Sequence, residues 1–153
     1  MPKILPETNK PSPRRETATL LNAALDWAAQ GWPVFPLQQN RKDPLFPYPH
    51  PKGEKCDGSC GRPGHGVLDA TTDPDVITQW WTRYPKANIG GSTAGRVVID
   101  FDFEHGATLP EGMPLTREHL SGRGNGNVHM VYVPTGTMGV GLRQGRLAQG
   151  VDL

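Results

Sequence analysis

The stretch VVIDFDFEHG, Val97 to Gly106, has the pattern of a buried strand but carries acidic side chains. Side chains alternate across a strand, so Asp100 and Asp102 share one face, with Glu104 next along it, while Ile99, Phe101 and Phe103 share the other face. A rise of about 3.3 Å per residue separates the Cα atoms of the two aspartates by about 6.5–7 Å. Like charges this close are unfavourable unless a positive group lies between them.

A divalent metal ion is the positive partner that this pattern favours. Mg²⁺ and Mn²⁺ prefer oxygen ligands, and two carboxylates on one face of a strand supply them. A D-x-D pair by itself more often marks a sheet face open to solvent, or acids that pair with arginines. The interpretation therefore depends on the rest of the chain.

Composition is that of a soluble globular protein. The 153 residues, 35% of them hydrophobic and 20% charged, fit one domain with its own core. The formal charge of +1 excludes a uniformly basic coat for nucleic acid and leaves a local basic groove open. The sequence has no apolar run long enough to span a bilayer, no signal-peptide core, and too few cysteines for a secreted disulfide scaffold. We therefore expect a cytoplasmic protein.

Two amphipathic helices precede the acidic strand. A tail rich in Pro, Lys and Arg, residues 1–15, should be flexible, and apolar residues then recur at helical spacing over 16–30. Asp73 and Pro74 provide a cap and a first-turn proline for a second helix over 74–84.

Short strand patterns accompany the acidic strand. They lie at residues 32–37, 87–91, 114–120 and 127–133. The second of them should neighbour the acidic strand, and the last two should form a hairpin across a glycine-rich loop. The predicted fold class is α+β, in which helices flank a mixed or antiparallel sheet with the acids on one face. This domain spans 16–153.

The connection at residues 38–72 is long, aperiodic and rich in Pro and Gly, which is typical of a functional or stapled loop. Its segment HPKGEKCDGSCGRPGH contains four candidate ligands for a structural zinc ion, namely His50, Cys56, Cys60 and His65. The spacing is not that of a standard zinc finger. Two free thiols explain the cysteines equally well, and a disulfide is the less favoured alternative in a reducing compartment.

The order of motifs resembles the N-terminal domain of bifunctional DNA primase/polymerases, the prim-pol type of the archaeo-eukaryotic primase superfamily. The shared segments are, in order, GWPVFPL, Lys42 with Pro44, GHGVLDATTDP, the pair Trp80 and Trp81, ANIGGSTAG before VVIDFDF, SGRGNGNVHMVY and GVDL. Within this resemblance, Asp100 and Asp102 fall on the paired acidic motif. His129 falls on the family's histidine, which follows a small residue and one other, and Asp152 falls on the family's third acid.

The resemblance implies a primase-type, RRM-like catalytic core and metal-dependent nucleotidyl transfer. Asp100, Asp102 and Asp152 would hold Mg²⁺ or Mn²⁺, and His129 would contact phosphate. Asn127 stands where the family usually has a serine, and its amide can also donate to phosphate. The implied substrates are an NTP or dNTP and a DNA primer on its template, in phage or plasmid replication, with a helicase fused or separate.

The chain departs from the family pattern at its C-terminus. Family members continue past the GVD motif into a Gly-rich strand, so the resemblance implies a domain that is truncated there. The alternative function is therefore a catalytically impaired fragment that binds nucleic acid or nucleotide and carries a structural zinc loop.

Overall fold

The computed structural model describes residues 19–120, 124–133 and 146–152. The chain divides into two compact units, residues 1–92 and 93–153. The predicted N-terminal tail and the first part of the predicted hairpin loop lie outside the described residues. In the part of the chain that is described, no helix is both long and apolar enough to cross a membrane.

The first unit contains both predicted helices, α1 at Leu20–Ala29 and α2 at Pro74–Arg83. The expected start of α1 at residue 16 is wrong, because Thr19 has extended backbone angles and its hydroxyl accepts the N–H of Asn22 in the first turn of the helix. Asp73 caps α2 in the same way, ahead of the first-turn proline, as the sequence predicts.

A two-stranded antiparallel sheet accompanies these helices, formed by β1 at Val34–Leu37 and β2 at Asn88–Gly91. The prediction that the second of these strands neighbours the acidic strand is wrong, because β2 pairs with β1. Close packing explains the glycines of β2: a Cβ atom at Gly90 would lie 2.7 Å from the ring of Phe35.

The core of this unit lies among α1, α2 and β1. Its fully buried members are Ala24, Ala28, Val34, Ile77 and Trp81. Trp81 is 1% exposed, and its indole N–H donates to the Ala87 carbonyl at 3.0 Å, so the largest core side chain has its polar atom satisfied. This core supports the long loop that connects β1 to α2.

The second unit is built on a five-stranded sheet with the strand order β4-β5-β3-β7-β6. The strands are β3 at Val97–Phe101, β4 at Arg117–Leu120, β5 at Val128–Tyr132, β6 at Arg146–Ala148 and β7 at Val151–Asp152. Every described pairing is antiparallel, and the predicted hairpin is confirmed as the pair β4 and β5. The α+β class is therefore confirmed, with antiparallel sheets.

The acidic strand is shorter than its alternating pattern predicts. β3 ends at Phe101, because the carbonyl of Asp102 accepts the N–H groups of His105 and Ala107 at 3.0 and 3.2 Å and so turns the chain into a 3-10 helix. Glu104 lies in that 3-10 helix. The expectation that Glu104 follows Asp100 and Asp102 along one strand face is therefore wrong.

Apolar side chains cover one face of the five-stranded sheet. Phe101 is 1% exposed and lies opposite Val128 and Val151 on the neighbouring strands, and Met130 and Ala107 complete this core. Because side chains alternate along β3, the face that carries Asp100 is the opposite one.

Candidate active site

A row of polar residues crosses the five-stranded sheet on the face opposite its apolar core. In register, Asp100 on β3 lies between His129 on β5 and Asp152 on β7. His119 on β4 lies opposite His129 on its other side. Residues directly opposite each other on paired strands share a face and are close neighbours. The structure thus brings Asp100, His129 and Asp152 together.

The pair at the centre of this row is open to solvent. His129 Nε2 lies 3.3 Å from Asp100 Oδ1, and the two side chains are 45% and 47% exposed. Asp152 is exposed as well. A charged ligand can therefore reach these three side chains from one side of the sheet.

Asp102 lies just beyond the end of β3 and is held by two neighbours. Asn127 Nδ2 donates to Asp102 Oδ1, and His105 Nδ1 lies 2.5 Å from Asp102 Oδ2. Asn127 is 5% exposed, and its Oδ1 accepts the N–H of Phe103 at 2.9 Å. Asn127 therefore positions Asp102 in this structure, and the contact of its amide with phosphate stays a prediction.

The row contains the donor types that a hard divalent cation prefers. Asp100 and Asp152 are carboxylates directly opposite each other, an arrangement that is unfavourable for two like charges alone. Asp102 belongs to the same row of donors. It lies two residues after Asp100, and its hydrogen-bond partner Asn127 lies two residues before His129, so the antiparallel register of Asp100 and His129 continues to this pair. Three carboxylates are the oxygen ligands that Mg²⁺ and Mn²⁺ prefer.

His119, which completes the polar row on β4, was not predicted from the sequence. Burial lowers the pKa of its imidazole from the ordinary value of 6.5, and the charges of Arg117 and His129 lower it further. Its position opposite His129 was not predictable from the REHL segment, because it depends on the register of β4 on β5, and a shift of one residue would place it on the other face.

We expect the His119 resonance to titrate below pH 6.5 in an NMR titration of the folded protein. Arg117→Gln should raise that midpoint but leave it below 6.5, because burial still lowers the pKa. Since the folded state binds this proton less readily than the unfolded state, the contribution of His119 to stability should fall as pH drops through about 6.5. A His119 midpoint above the ordinary value would contradict this prediction.

The loop at residues 38–72 brings its four predicted zinc ligands into one cluster. Ligand atoms of His50, Cys56, Cys60 and His65 all lie within 4.8 Å of one another. Both cysteines are free thiols, so the structure contains no disulfide between them. The cluster is formed entirely by residues of the first unit and is separate in sequence from the acidic row.

Comparison with known proteins gives one match. Residues 24–153 match the family described as Prim-Pol, bifunctional DNA primase/polymerase, N-terminal. No curated protein and no solved structure shows significant similarity to the chain. The family match includes both compact units and extends from α1 to the end of the sequence, so it contains the acidic row, Asp102 with its partner Asn127, and the His/Cys cluster. On this match, the chain belongs to the Prim-Pol family of bifunctional DNA primase/polymerase N-terminal domains.

Proposed function

We propose that this domain catalyses metal-dependent nucleotidyl transfer from an NTP or dNTP to a primer 3′ hydroxyl on a DNA template, in the replication of a phage or plasmid element. The observation that carries the proposal is the register of Asp100 between His129 and Asp152 on one open sheet face. Family membership supports the reaction class. DNA and nucleotides as substrates support a cytoplasmic location.

The three acids are the groups proposed to hold Mg²⁺ or Mn²⁺. A cation held there would supply positive charge that stabilises the negative charge developing as the 3′ hydroxyl attacks. Asp100 and Asp152 approach from adjacent strands, and Asp102 approaches from the turn after β3. Asn127 and His105 fix the orientation of Asp102 in advance, so little side-chain freedom is lost when a ligand binds.

His129 is proposed as a phosphate contact rather than a base. Its imidazole is half exposed beside Asp100, so a triphosphate that approaches the acids comes within reach of a ring N–H. Phosphoryl transfer of this kind depends mainly on positioning and charge neutralisation, and a hydrogen-bond donor to phosphate serves both purposes.

Primer extension tests this proposal. The chain should extend a labelled primer on a DNA template when Mg²⁺ or Mn²⁺ is added, and extension should stop when only that cation is omitted. Parallel reactions with dNTPs and with NTPs identify the preferred nucleotide. Retained DNA binding without incorporation under every one of these conditions would overturn the proposal in favour of a binding module that lacks catalysis.

A further inference from the structure

The His/Cys cluster in the loop at residues 38–72 has the features of a built metal site. We propose that this loop binds one structural zinc ion in a tetrahedral His₂Cys₂ site, and that two nearby carboxylates commit both imidazoles to bind through Nε2. Both Nδ1 atoms face carboxylates, so the ligand atoms that we assign are His50 Nε2, Cys56 Sγ, Cys60 Sγ and His65 Nε2. The site is independent of the acidic row, and nothing in the proposed polymerase reaction requires it.

Each imidazole of the cluster turns its other ring nitrogen to a carboxylate four residues later. His50 Nδ1 lies 3.1 Å from Glu54 Oε1, and His65 Nδ1 lies 3.2 Å from Asp69 Oδ1. A carboxylate at Nδ1 fixes the tautomer in which Nε2 carries the lone pair, which is the usual support of a zinc-bound histidine. The same arrangement at both histidines indicates metal binding more strongly than the four ligand types alone.

Both Nε2 atoms lie inside the cluster, in positions from which they could bind a metal ion. The Nε2 atom of His50 is buried without a hydrogen bond of ordinary geometry to a described residue, and the imidazole interacts with the Cys56 thiol. A buried polar atom left in this state is unfavourable, and coordination to a metal ion would satisfy it. His65 Nε2 lies 3.6 Å from Cys60 Sγ. In a tetrahedral zinc site, bonds of about 2.3 Å to sulfur and 2.0–2.1 Å to nitrogen separate the sulfur and nitrogen ligand atoms by about this distance.

The turn at Cys56 to Cys60 favours the thiolate that a metal needs. The Gly58 and Cys60 N–H groups donate hydrogen bonds to the Cys56 sulfur. The Asp57 carboxylate accepts the Ser59 N–H at 3.0 Å and so stabilises this turn. Backbone N–H groups directed at a cysteine sulfur support a bound thiolate.

Tyr48 packs against the two histidines of the cluster. Its ring centroid lies 5.3 Å from that of His50 and 5.5 Å from that of His65. Its hydroxyl donates to the Glu54 carbonyl at 2.9 Å and accepts the Cys56 N–H at 2.9 Å. The aromatic side chain therefore ties the first half of the loop to the ligands and packs against both imidazoles.

The ends of the loop are anchored to β1, because Leu37 bridges to Pro44 and Val34 bridges to Thr71. A zinc ion would thus cross-link a segment that starts and finishes at the same strand. Four protein ligands leave no open position for water or substrate, so the role is structural rather than catalytic. Two thiolates with two imidazoles in tetrahedral geometry favour zinc over Mg²⁺ or Mn²⁺.

Metal analysis of the full chain, purified with zinc and without chelator, provides the first test. We expect about one zinc per chain, and Co²⁺ exchanged into the site should give the absorption of a tetrahedral centre with two thiolates. Zinc near zero, together with alkylation of Cys56 and Cys60 at the same rate with and without added zinc, would overturn the proposal. Neither readout depends on polymerase activity.

The positioning carboxylates provide the second test. Asp69→Asn and Glu54→Gln should each weaken zinc affinity by about 10- to 100-fold in competition with a zinc-binding indicator. Asp43→Asn is the matched control, because it removes an exposed carboxylate of the same loop that pairs with Arg41 rather than with an imidazole. Unchanged affinity in both variants, or imidazole ¹⁵N shifts that show ligation through Nδ1, would contradict the positioning role. If Asp69→Asn does not fold, Glu54→Gln, whose carboxylate is half exposed, decides the question.

Discussion

Asp100→Asn is expected to lower nucleotide incorporation by about a thousandfold or more while DNA affinity stays within about twofold. Asp100 occupies the centre of the acidic row, with His129 on one side and Asp152 on the other. Loss of several kcal/mol of charge stabilisation in the transition state gives this factor, because about 1.4 kcal/mol corresponds to tenfold in rate. DNA affinity depends mainly on basic groups that contact the phosphate backbone, and these are unchanged.

Single-nucleotide primer extension under single-turnover conditions measures the first effect, and fluorescence anisotropy of labelled primer-template measures the second. Glu118→Gln is the matched control: it removes one carboxylate from β4 of the same sheet, at a position that lies opposite Met130 and alternates with His119. We expect its activity to be unchanged. Retention of more than about a tenth of the activity by Asp100→Asn would show that this carboxylate is not a required metal ligand.

Strand alternation in VVIDFDF was sufficient to predict that Asp100 and Phe101 lie on opposite faces. Phe101 is 1% exposed in the core, whereas the Asp100 side chain is 47% exposed. Alternation could not predict where the strand ends, because that depends on partners distant in the sequence. The Asp102 N–H donates to the carbonyl of Gly150 at 2.8 Å, and the chain then turns.

Register was the part of the site that residue patterns could not supply. The position of Asp100 between His129 and Asp152 depends on how β5 and β7 align with β3, and a shift of one residue would move either partner to the other face. Only the resemblance to the primase family suggested that these residues meet. His119 was missed for the same reason, since its role follows from the register of β4 on β5.

The four candidate zinc ligands were visible in the sequence, but their convergence was not. It depends on irregular backbone that has no periodic signal, such as Gly64, where φ is +125° and a Cβ atom would lie 2.2 Å from the Pro47 carbonyl oxygen. The supporting carboxylates did leave a signal: an acidic residue follows each histidine at the fourth position.

Mn²⁺ is expected to raise the melting temperature of the zinc-loaded protein by roughly 5–10 °C at about one hundred times its dissociation constant. Binding to the folded state alone contributes about 2.7 kcal/mol at that concentration, and about 1 kcal/mol shifts the melting temperature of a chain of this size by about 2–4 °C. The physical reason is the opposed pair Asp100 and Asp152, which repel each other until a cation binds between them.

Asp102→Asn should abolish this response without unfolding the protein. The variant keeps an oxygen for the Asn127 amide and places an N–H₂ group opposite His105 Nδ1, so both contacts of the native carboxylate have a replacement. Its melting temperature without Mn²⁺ should therefore stay near that of the native protein. Glu118→Gln should keep the full Mn²⁺ shift. Zinc already occupies the thiol-containing site in this experiment, so an undiminished shift in Asp102→Asn would place the Mn²⁺ away from the acids and contradict their assignment as its ligands.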